Sequence, residues 1–183
     1  QATGKNLFST SSGKDSVLFR SYIAGLARLL PQVSPMFAPN VNSFRRMRPD
    51  SDAPINVQWG ADNRSCGLRV PVSDARNRRI ENRLPGADAN PYLAFAASLV
   101  CGYIGMVDRM QPPKSIEGNA YNRARTLPRT LETALDRFSH CRPVKALLGE
   151  DFFDIFYAIK ECELFNYQSV ISSWEREHLL LRV

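Results

Sequence analysis

The sequence predicts an α+β domain in which helices pack with a small sheet. Three observations indicate this class: helical spacing of apolar residues at 16–30, alternation of apolar and polar residues at 55–59 and 66–70, and helical spacing again at 151–177. The chain has 183 residues, of which 44% are hydrophobic and 23% are charged. This length and composition are sufficient for one folded domain with its own core.

The first helix is predicted to begin after Asp15 or Ser16 and to end at Pro31. A serine or aspartate side chain can accept hydrogen bonds from the unpaired amides of a first turn, and proline cannot continue a helix. The apolar residues that recur on one face are Val17, Phe19, Tyr22, Ile23, Leu26, Leu29 and Leu30. The helix is therefore expected to be amphipathic.

A proline-rich stretch and three short strands follow this helix. Residues 34–54 contain four prolines and are expected to be irregular. Strands are predicted at 55–59, 66–70 and 78–84, where apolar and polar residues alternate. Together they are expected to form a small antiparallel sheet.

The second half of the chain is predicted to be helical. Asn90 followed by Pro91 is typical of a helix start, because asparagine caps the first amides and proline has no amide to leave unpaired. The helix that continues to Val107 is apolar almost all round, so we expect it to lie deep in the core. Further helices are predicted at 130–138 and 151–177. The inner stripe of the last one is expected to be Phe152, Ile155, Phe156, Ile159, Cys162 and Phe165.

The net charge of +6 comes mainly from arginine, which supplies 19 of the 24 basic residues. Arginine holds carboxylates and phosphates with a rigid fork of donors, so this charge indicates anion sites. A nucleic-acid binder is disfavoured, because there is no lysine-rich run and no basic face with aromatic platforms. The four cysteines form no Cys-x-x-Cys motif, and no apolar stretch is long enough to span a membrane. We therefore expect a cytoplasmic protein with buried free thiols and no membrane partner.

The densest cluster of charge is the run from Arg78 to Arg83. If this run is a strand, Arg79, Glu81 and Arg83 lie on one face, because side chains alternate. A carboxylate between two guanidiniums can be part of a solvated surface ladder, or it can line a cleft that holds anions and a metal. The spacing alone leaves both interpretations open.

Several motifs around this run follow one another in a fixed order. They are Pro39-Asn40-Val41-Asn42-Ser43-Phe44-Arg45-Arg46, Ala53-Pro54, Trp59-Gly60, Asn63-Arg64-Ser65, Leu68-Arg69-Val70-Pro71, Arg79-Ile80-Glu81-Asn82-Arg83 and Ala89-Asn90-Pro91-Tyr92-Leu93-Ala94. In this order and at this spacing they resemble the catalytic domain of the glutamine synthetase family. The resemblance implies that residues 1–183 are the C-terminal part of such a domain. A β-grasp domain, a histidine-containing motif and further metal-binding glutamates are then expected upstream of this chain.

The same resemblance implies a fold and a reaction. The fold is a curved antiparallel sheet wrapped by helices. The reaction is that of an ATP-dependent ligase, in which ATP phosphorylates the γ-carboxylate of glutamate and ammonia or another amine displaces the phosphate. The implied cofactor is Mg²⁺ or Mn²⁺, and the implied assembly is a large ring-shaped homo-oligomer. A phosphoryl group in transfer spreads negative charge over its oxygens, so its site needs metals and convergent arginines.

The resemblance also gives roles to single residues. Glu81 matches a glutamate that binds a metal, and Arg46 and Arg83 match arginines that bind the glutamate substrate. The arginines that match contacts to the phosphates and the nucleotide are Arg64, Arg69 and Arg79. Arg64 is also expected to take part in catalysis.

The amine substrate stays open. Asp52 matches the position of a flap carboxylate that binds ammonium and takes a proton from the attacking nitrogen, which favours ammonia or a small cationic amine. The motifs Trp59-Gly60 and Ser173-Trp174-Glu175 look more like the γ-glutamylpolyamine synthetase branch. Asp50 stands where the family's flap has a glycine, so a stiffer loop is expected.

An alternative is a glutamine synthetase-like protein without catalysis, which serves as a structural or binding component. Such a protein would not need an acid and guanidiniums on one face of a strand. The presence of Glu81 with Arg83, Arg64 and Arg69 therefore favours the ligase.

Overall fold

A computed structural model describes residues 4–49 and 51–182, so Asp50 and the expected stiffening of its loop lie outside the described residues. The described residues form a mixed α+β structure of seven α-helices and one three-stranded sheet. The helices are α1 Val17–Leu29, α2 Val41–Arg46, α3 Pro91–Val107, α4 Leu131–Ser139, α5 Arg142–Leu148, α6 Glu150–Gln168 and α7 Ser173–His178. The strands are β1 Trp59–Ala61, β2 Leu68–Val70 and β3 Glu81–Asn82, and short 3₁₀-helices span Leu30–Gln32, Ser34–Met36 and Ala120–Asn122. None of the helices in this part of the chain is long and apolar enough to cross a membrane.

Helix α1 begins and ends as its sequence predicts. The Ser16 hydroxyl accepts a hydrogen bond from the Phe19 amide at 3.0 Å. After Leu29 the chain passes into the 3₁₀-helix that contains Pro31. The buried face includes Phe19 and Ile23, which are both completely shielded from solvent. Local capping and spacing are therefore sufficient to place this helix.

The stretch 34–54 is less irregular than expected, because it contains α2. The Asn40 amide donates to Ser43 Oγ at 2.9 Å, and this closes a capping box at the start of the helix. The prolines Pro39 and Pro49 lie before and after α2 instead of inside it. α2 therefore presents Arg46 at its last residue, close to the sheet.

The sheet is mixed, so the expected antiparallel order is wrong for one strand pair. β2 pairs with β3 in antiparallel register with Arg69 opposite Glu81, but β1 pairs with β2 in parallel. Directly after β1, Asp62 has a φ of 47°, a left-handed conformation that turns the chain sharply. The strands are also shorter than predicted, and residues 55–57 are buried outside the sheet. Alternation of residue types gives no information about strand direction or about where pairing ends.

Helices α1 and α3 cross in backbone contact. A Cβ atom added to Gly25 would lie 2.2 Å from the carbonyl oxygen of Cys101. A Cβ atom added to Gly105 would lie 2.3 Å from the carbonyl oxygen of Ser21. The missing side chains let the two helices approach closely, and Leu26 next to the crossing is part of the main core.

Helix α3 begins as predicted but is not buried all round. Asn90 Oδ1 accepts a hydrogen bond from the Tyr92 amide at 2.9 Å, and Pro91 is the first helical residue. The expected deep burial is wrong for one side of the helix, which nothing covers in the described part of the chain. The large side chains on that side are 51–82% exposed, and we call them the α3 stripe: Tyr92, Phe95, Leu99, Tyr103 and Val107.

The last third of the chain contains more helices than its spacing indicates. α4 lies within one residue of its predicted bounds, and Thr130 caps it, since the Thr130 hydroxyl accepts a hydrogen bond from the Thr133 amide at 3.2 Å. α5 is an additional helix. The predicted helix at 151–177 is two helices, α6 and α7, because the chain leaves helical geometry at 169–172. Serine at position 172 then caps α7.

Helix α6 packs mainly through its first half. Phe153 stacks on Phe138 of α4 with 4.1 Å between ring centroids, and Phe156 is buried beside them. Most of the other residues of the predicted stripe are exposed, so the predicted inner face is largely wrong. The thiol of Cys162, which belongs to this stripe, is exposed as well, whereas those of Cys66, Cys101 and Cys141 are buried as expected.

Candidate active site

Strands β2 and β3 bring three of the predicted site residues into one ion-pair chain. Arg69 Nη1 lies 2.7 Å from Glu81 Oε2, and Arg79 Nη2 lies 3.6 Å from Glu81 Oε1. The carboxylate is 34% exposed, so a ligand can still approach it. The face of alternating charge that the sequence indicates is thus present for Arg79 and Glu81.

Asp62 joins this chain, although its spacing in the sequence does not indicate it. Its Oδ1 accepts a hydrogen bond from Arg69 Nε at 3.1 Å and also contacts Arg69 Nη2. The hydrogen bond that Arg69 donates to Asp62 contributes most to raising the pKa of Arg69, and the one donated to Glu81 contributes next. Arg69 is therefore held as a cation between two carboxylates that come from different loops and strands.

Arg83 binds backbone carbonyls instead of a carboxylate. Its Nη1 donates to Cys66 O at 3.1 Å and contacts Arg64 O, and its Nη2 donates to Asp52 O at 3.2 Å. One guanidinium thereby ties the loop before β2 to the segment that carries Asp52. Arg83 organises the backbone of the site in addition to bringing a positive charge to it.

Arg46 lies at the end of α2 and is partly buried. Its Nη2 donates to Leu84 O at 2.6 Å, while its Nε is buried and has no hydrogen-bond partner among the described residues. Burial lowers the pKa of Arg46; Asp88 opposes this shift, and the charge of Arg83 adds to it. A buried cationic N–H without a partner is unusual in a folded protein and marks Arg46 as a residue whose charge is incompletely satisfied by the described residues.

The segment that carries Asp52 is fastened on both sides. Ser51 Oγ lies 2.6 Å from Arg46 O, and the Tyr121 hydroxyl lies 2.8 Å from Ser51 O and 3.1 Å from Ala53 O. The Asp52 side chain between these anchors is exposed. Burial is the largest cause of a raised pKa at Tyr121, so its hydroxyl stays a donor at neutral pH. Tyr121 is thus a further positioning residue, which the spacing of residues in the sequence does not indicate.

Arg64 reaches the site from a loop and not from a strand. It lines a cavity of about 620 Å³ formed by residues 61–64 and 115–118. Asn63 shapes this cavity, because its Nδ2 donates to Gly118 O at 2.7 Å and its Oδ1 accepts from the Ser65 amide. The structure therefore places Arg64 beside the ion-pair chain, in a different wall of the same region.

The described residues do not form a metal site by themselves. Within residues 4–49 and 51–182, no three His, Cys, Asp or Glu side chains are close enough together to hold a metal ion. Both oxygens of Glu81 contact arginines. Mg²⁺ and its relatives need several oxygen ligands, so Glu81 can supply one ligand and the rest would have to come from elsewhere.

Comparison with known proteins identifies related sequences along nearly the whole chain. A family model described as glutamine synthetase, catalytic domain, matches residues 1–179. The chain is 35% identical over 178 residues to a gamma-glutamylputrescine synthetase from Escherichia coli K12, which covers 97% of this chain and 38% of the relative. It is 37% identical over 175 residues to a gamma-glutamylethanolamide synthetase from Streptomyces coelicolor, covering 95% and 37%.

A type-1 glutamine synthetase from Dictyostelium discoideum is similar to the same extent. It is 36% identical over 186 residues, which covers 97% of this chain and 36% of the relative. The chain therefore spans a little over a third of the length of the curated relatives that it matches.

Proposed function

The chain belongs to the glutamine synthetase catalytic-domain family, and from this membership we propose that its protein is an ATP-dependent ligase that makes a γ-glutamyl amide. In the proposed reaction ATP phosphorylates the γ-carboxylate of glutamate. Ammonia or an amine then attacks the γ-carbon, a C–N bond forms and inorganic phosphate leaves. We assign residues 1–183 to the C-terminal part of the catalytic domain, with a β-grasp domain and the first half of the catalytic domain outside this chain.

The observation that carries the proposal is the ion-pair chain that joins Asp62, Arg69, Glu81 and Arg79. Its guanidiniums are oriented before any ligand binds, so they lose little freedom when charge develops on a phosphoryl group. We propose that Arg69 and Arg79 contact the nucleotide phosphates. Arg64 approaches the same phosphates from its cavity and acts in phosphoryl transfer.

Arg46 and Arg83 are the proposed arginines for the glutamate substrate. The Arg46 guanidinium, held in place by its hydrogen bond to Leu84 O, offers positive charge to a substrate carboxylate. Arg83 follows Glu81 by two residues, and its hydrogen bonds to three carbonyls fix where its charge is placed. Substrate glutamate would thus be held beside the strand that carries Glu81.

Glu81 is the proposed metal ligand of this chain. We propose that it contributes one carboxylate to a Mg²⁺ or Mn²⁺ site whose other ligands belong to the part of the protein that this chain does not span. When bound, the metal neutralises charge on phosphate oxygens. The role of Arg69 and Arg79 in this site is to hold the Glu81 carboxylate in one orientation.

The family membership also supports a larger architecture. We propose that the mixed sheet of β1, β2 and β3 is one part of a larger curved sheet wrapped by helices, and that the full-length protein forms a large ring-shaped homo-oligomer. The exposed α3 stripe supports this proposal, because a surface of this kind is normally covered in a complete protein.

The proposed activity is tested by phosphate release from the full-length protein with Mg-ATP and glutamate. Ammonium, a monoamine and a polyamine are offered in parallel. Release with any one of them establishes the ligase and names its acceptor. A folded protein that releases no phosphate and binds no ATP would support the non-catalytic alternative instead.

The exposed carboxylate of Asp52 is expected to matter most for the smallest amine. We predict that Asp52→Ala in the full-length protein lowers turnover with ammonium at least ten-fold more than turnover with a bulky monoamine, because a positioned base contributes about 10²–10⁴-fold. Steady-state phosphate release with both amines, each at saturation, measures the difference.

Ser51→Ala is the matched control for this experiment. It removes the hydroxyl that lies 2.6 Å from Arg46 O but leaves the Asp52 carboxylate in place. We expect it to affect both amines alike, because it loosens the segment without removing the base. Equal losses with both amines in Asp52→Ala would reduce Asp52 to a turn residue.

A further inference from the structure

Four arginines from two parts of the chain surround a second cavity, which the proposed active site does not use. The cavity has a volume of about 300 Å³, and we call it the arginine pocket. Its lining residues are Phe44, Arg45, Met47, Arg48, Arg125 and Arg129. Among the described residues that line it, none is acidic. Arg48 has an interaction of its own, whereas no ion pair in the described structure involves Arg45, Arg125 or Arg129. Like charge around one cavity is unfavourable unless an anion balances it.

Arg125 is the arginine of this pocket that most requires a partner. Its Nη2 donates to Met47 O, whereas its Nη1 is buried and has no hydrogen-bond partner in the described part of the chain. Burial lowers the pKa of Arg125, and the charge of Arg129 lowers it further. Leaving a buried cationic N–H unpaired costs free energy, so such a group calls for an explanation. An anion in the pocket would offset the repulsion between Arg125 and Arg129.

Arg45 and Arg129 extend the basic lining towards α6. Arg45 Nη2 donates to the Tyr167 hydroxyl at 3.4 Å, a long and therefore weak hydrogen bond. Both arginines also line an adjoining cavity of about 290 Å³. Glu132 borders that adjoining cavity, but no ion pair in the described structure joins it to either arginine. The guanidiniums of Arg45 and Arg129 are therefore not neutralised by this acid.

From this geometry we propose that the arginine pocket binds a phosphate group, either inorganic phosphate or the phosphate of a small monoester. A phosphate carries close to two negative charges and several acceptor oxygens, so it can engage more than one guanidinium fork at once. The site is separate from the proposed glutamate and nucleotide sites. It lies on the same segment as Asp52, however, because Ser51 Oγ contacts the carbonyls of both Arg46 and Arg48.

The test uses the full-length protein and equilibrium dialysis against radiolabelled inorganic phosphate. Arg129 is exposed and makes no hydrogen bond in the described structure, so Arg129→Gln is expected to fold normally. We expect the affinity of this variant for phosphate at the pocket to fall by about ten-fold or more, since it loses a charge-assisted contact. Arg142→Gln removes one exposed charge elsewhere and should bind phosphate as the wild type does.

A further variant separates this site from the proposed active site, which also handles phosphate. Arg69→Gln should lose phosphate binding at the active site and keep it in the arginine pocket. The weaker binding expected for Arg129→Gln can therefore be observed even if the proposed ligase function is wrong. If glycerol 3-phosphate displaces the radiolabelled phosphate, the pocket accepts monoesters. If it does not, the pocket is specific for inorganic phosphate. Phosphate binding that is unchanged in both Arg129→Gln and Arg125→Gln would overturn the proposal.

Discussion

Replacing Glu81 by glutamine in the full-length protein is expected to lower turnover by about 10²–10³-fold, because the site loses a charged group that acts where phosphoryl charge develops. Glutamine keeps the size of the side chain but is a poor ligand for Mg²⁺ or Mn²⁺. The metal concentration for half-maximal rate should therefore rise by about ten-fold or more. Titration of phosphate release with Mg²⁺ measures both effects.

Asp62→Asn is the control that separates a metal role from a structural one. Both Asp62 and Glu81 pair with Arg69, so either substitution deprives Arg69 of one partner. If Glu81 acts as a metal ligand, only Glu81→Gln shifts the metal titration. An identical shift in both variants would mean that Glu81 acts through the orientation of Arg69.

Replacing Gly25 by alanine is expected to destabilise the protein, because α1 and α3 cross there in backbone contact. The new Cβ would lie 2.2 Å from Cys101 O and 2.8 Å from the Gly105 backbone, and backbone atoms cannot rotate away. Alanine favours a helix by about 1 kcal/mol over glycine, but overpacking costs about 1–3 kcal/mol or more and should prevail here. The midpoint of thermal unfolding should fall by several degrees.

Two companion variants make the Gly25 result specific to the helix crossing. Gly105→Ala meets Ser21 O at 2.3 Å from the other side, so it should cause a loss of similar size. Arg20→Ala changes an exposed residue of the same helix and should move stability by about 0.5 kcal/mol or less. A Gly25→Ala protein that unfolds at the wild-type temperature would contradict the close crossing.

The helix starts could be predicted from the sequence because their determinants are local. Ser16, Asn90 and Thr130 each accept hydrogen bonds from amides two or three residues ahead, so a short stretch of sequence contains the whole interaction. The buried side of α3 and the direction of β1 depend on residues far away in the chain. Neither can be inferred from the spacing of apolar residues.

In the candidate site too, contacts within one strand could be predicted from the sequence, whereas contacts between distant segments could not. Alternation along one strand places Arg79 and Glu81 on a common face, and the structure confirms their contact. The sequence did not indicate the partners that lie outside the strands. Asp62 is itself in the left-handed conformation and pairs with Arg69, and Tyr121 belongs to a distant 3₁₀-helix. The roles of these side chains in metal, phosphate and glutamate binding remain predictions that the variants above test.

The α3 stripe has a practical consequence for work on these residues as a separate polypeptide. Its five large side chains face water along one line of the helix, and this hydrophobic surface favours self-association at the concentrations used for purification. We expect such a polypeptide to aggregate on concentration and to increase the fluorescence of a dye that binds hydrophobic surfaces. Polar substitutions at Phe95 and Leu99 should restore its solubility, because both side chains are more than 60% exposed and contribute little to the core.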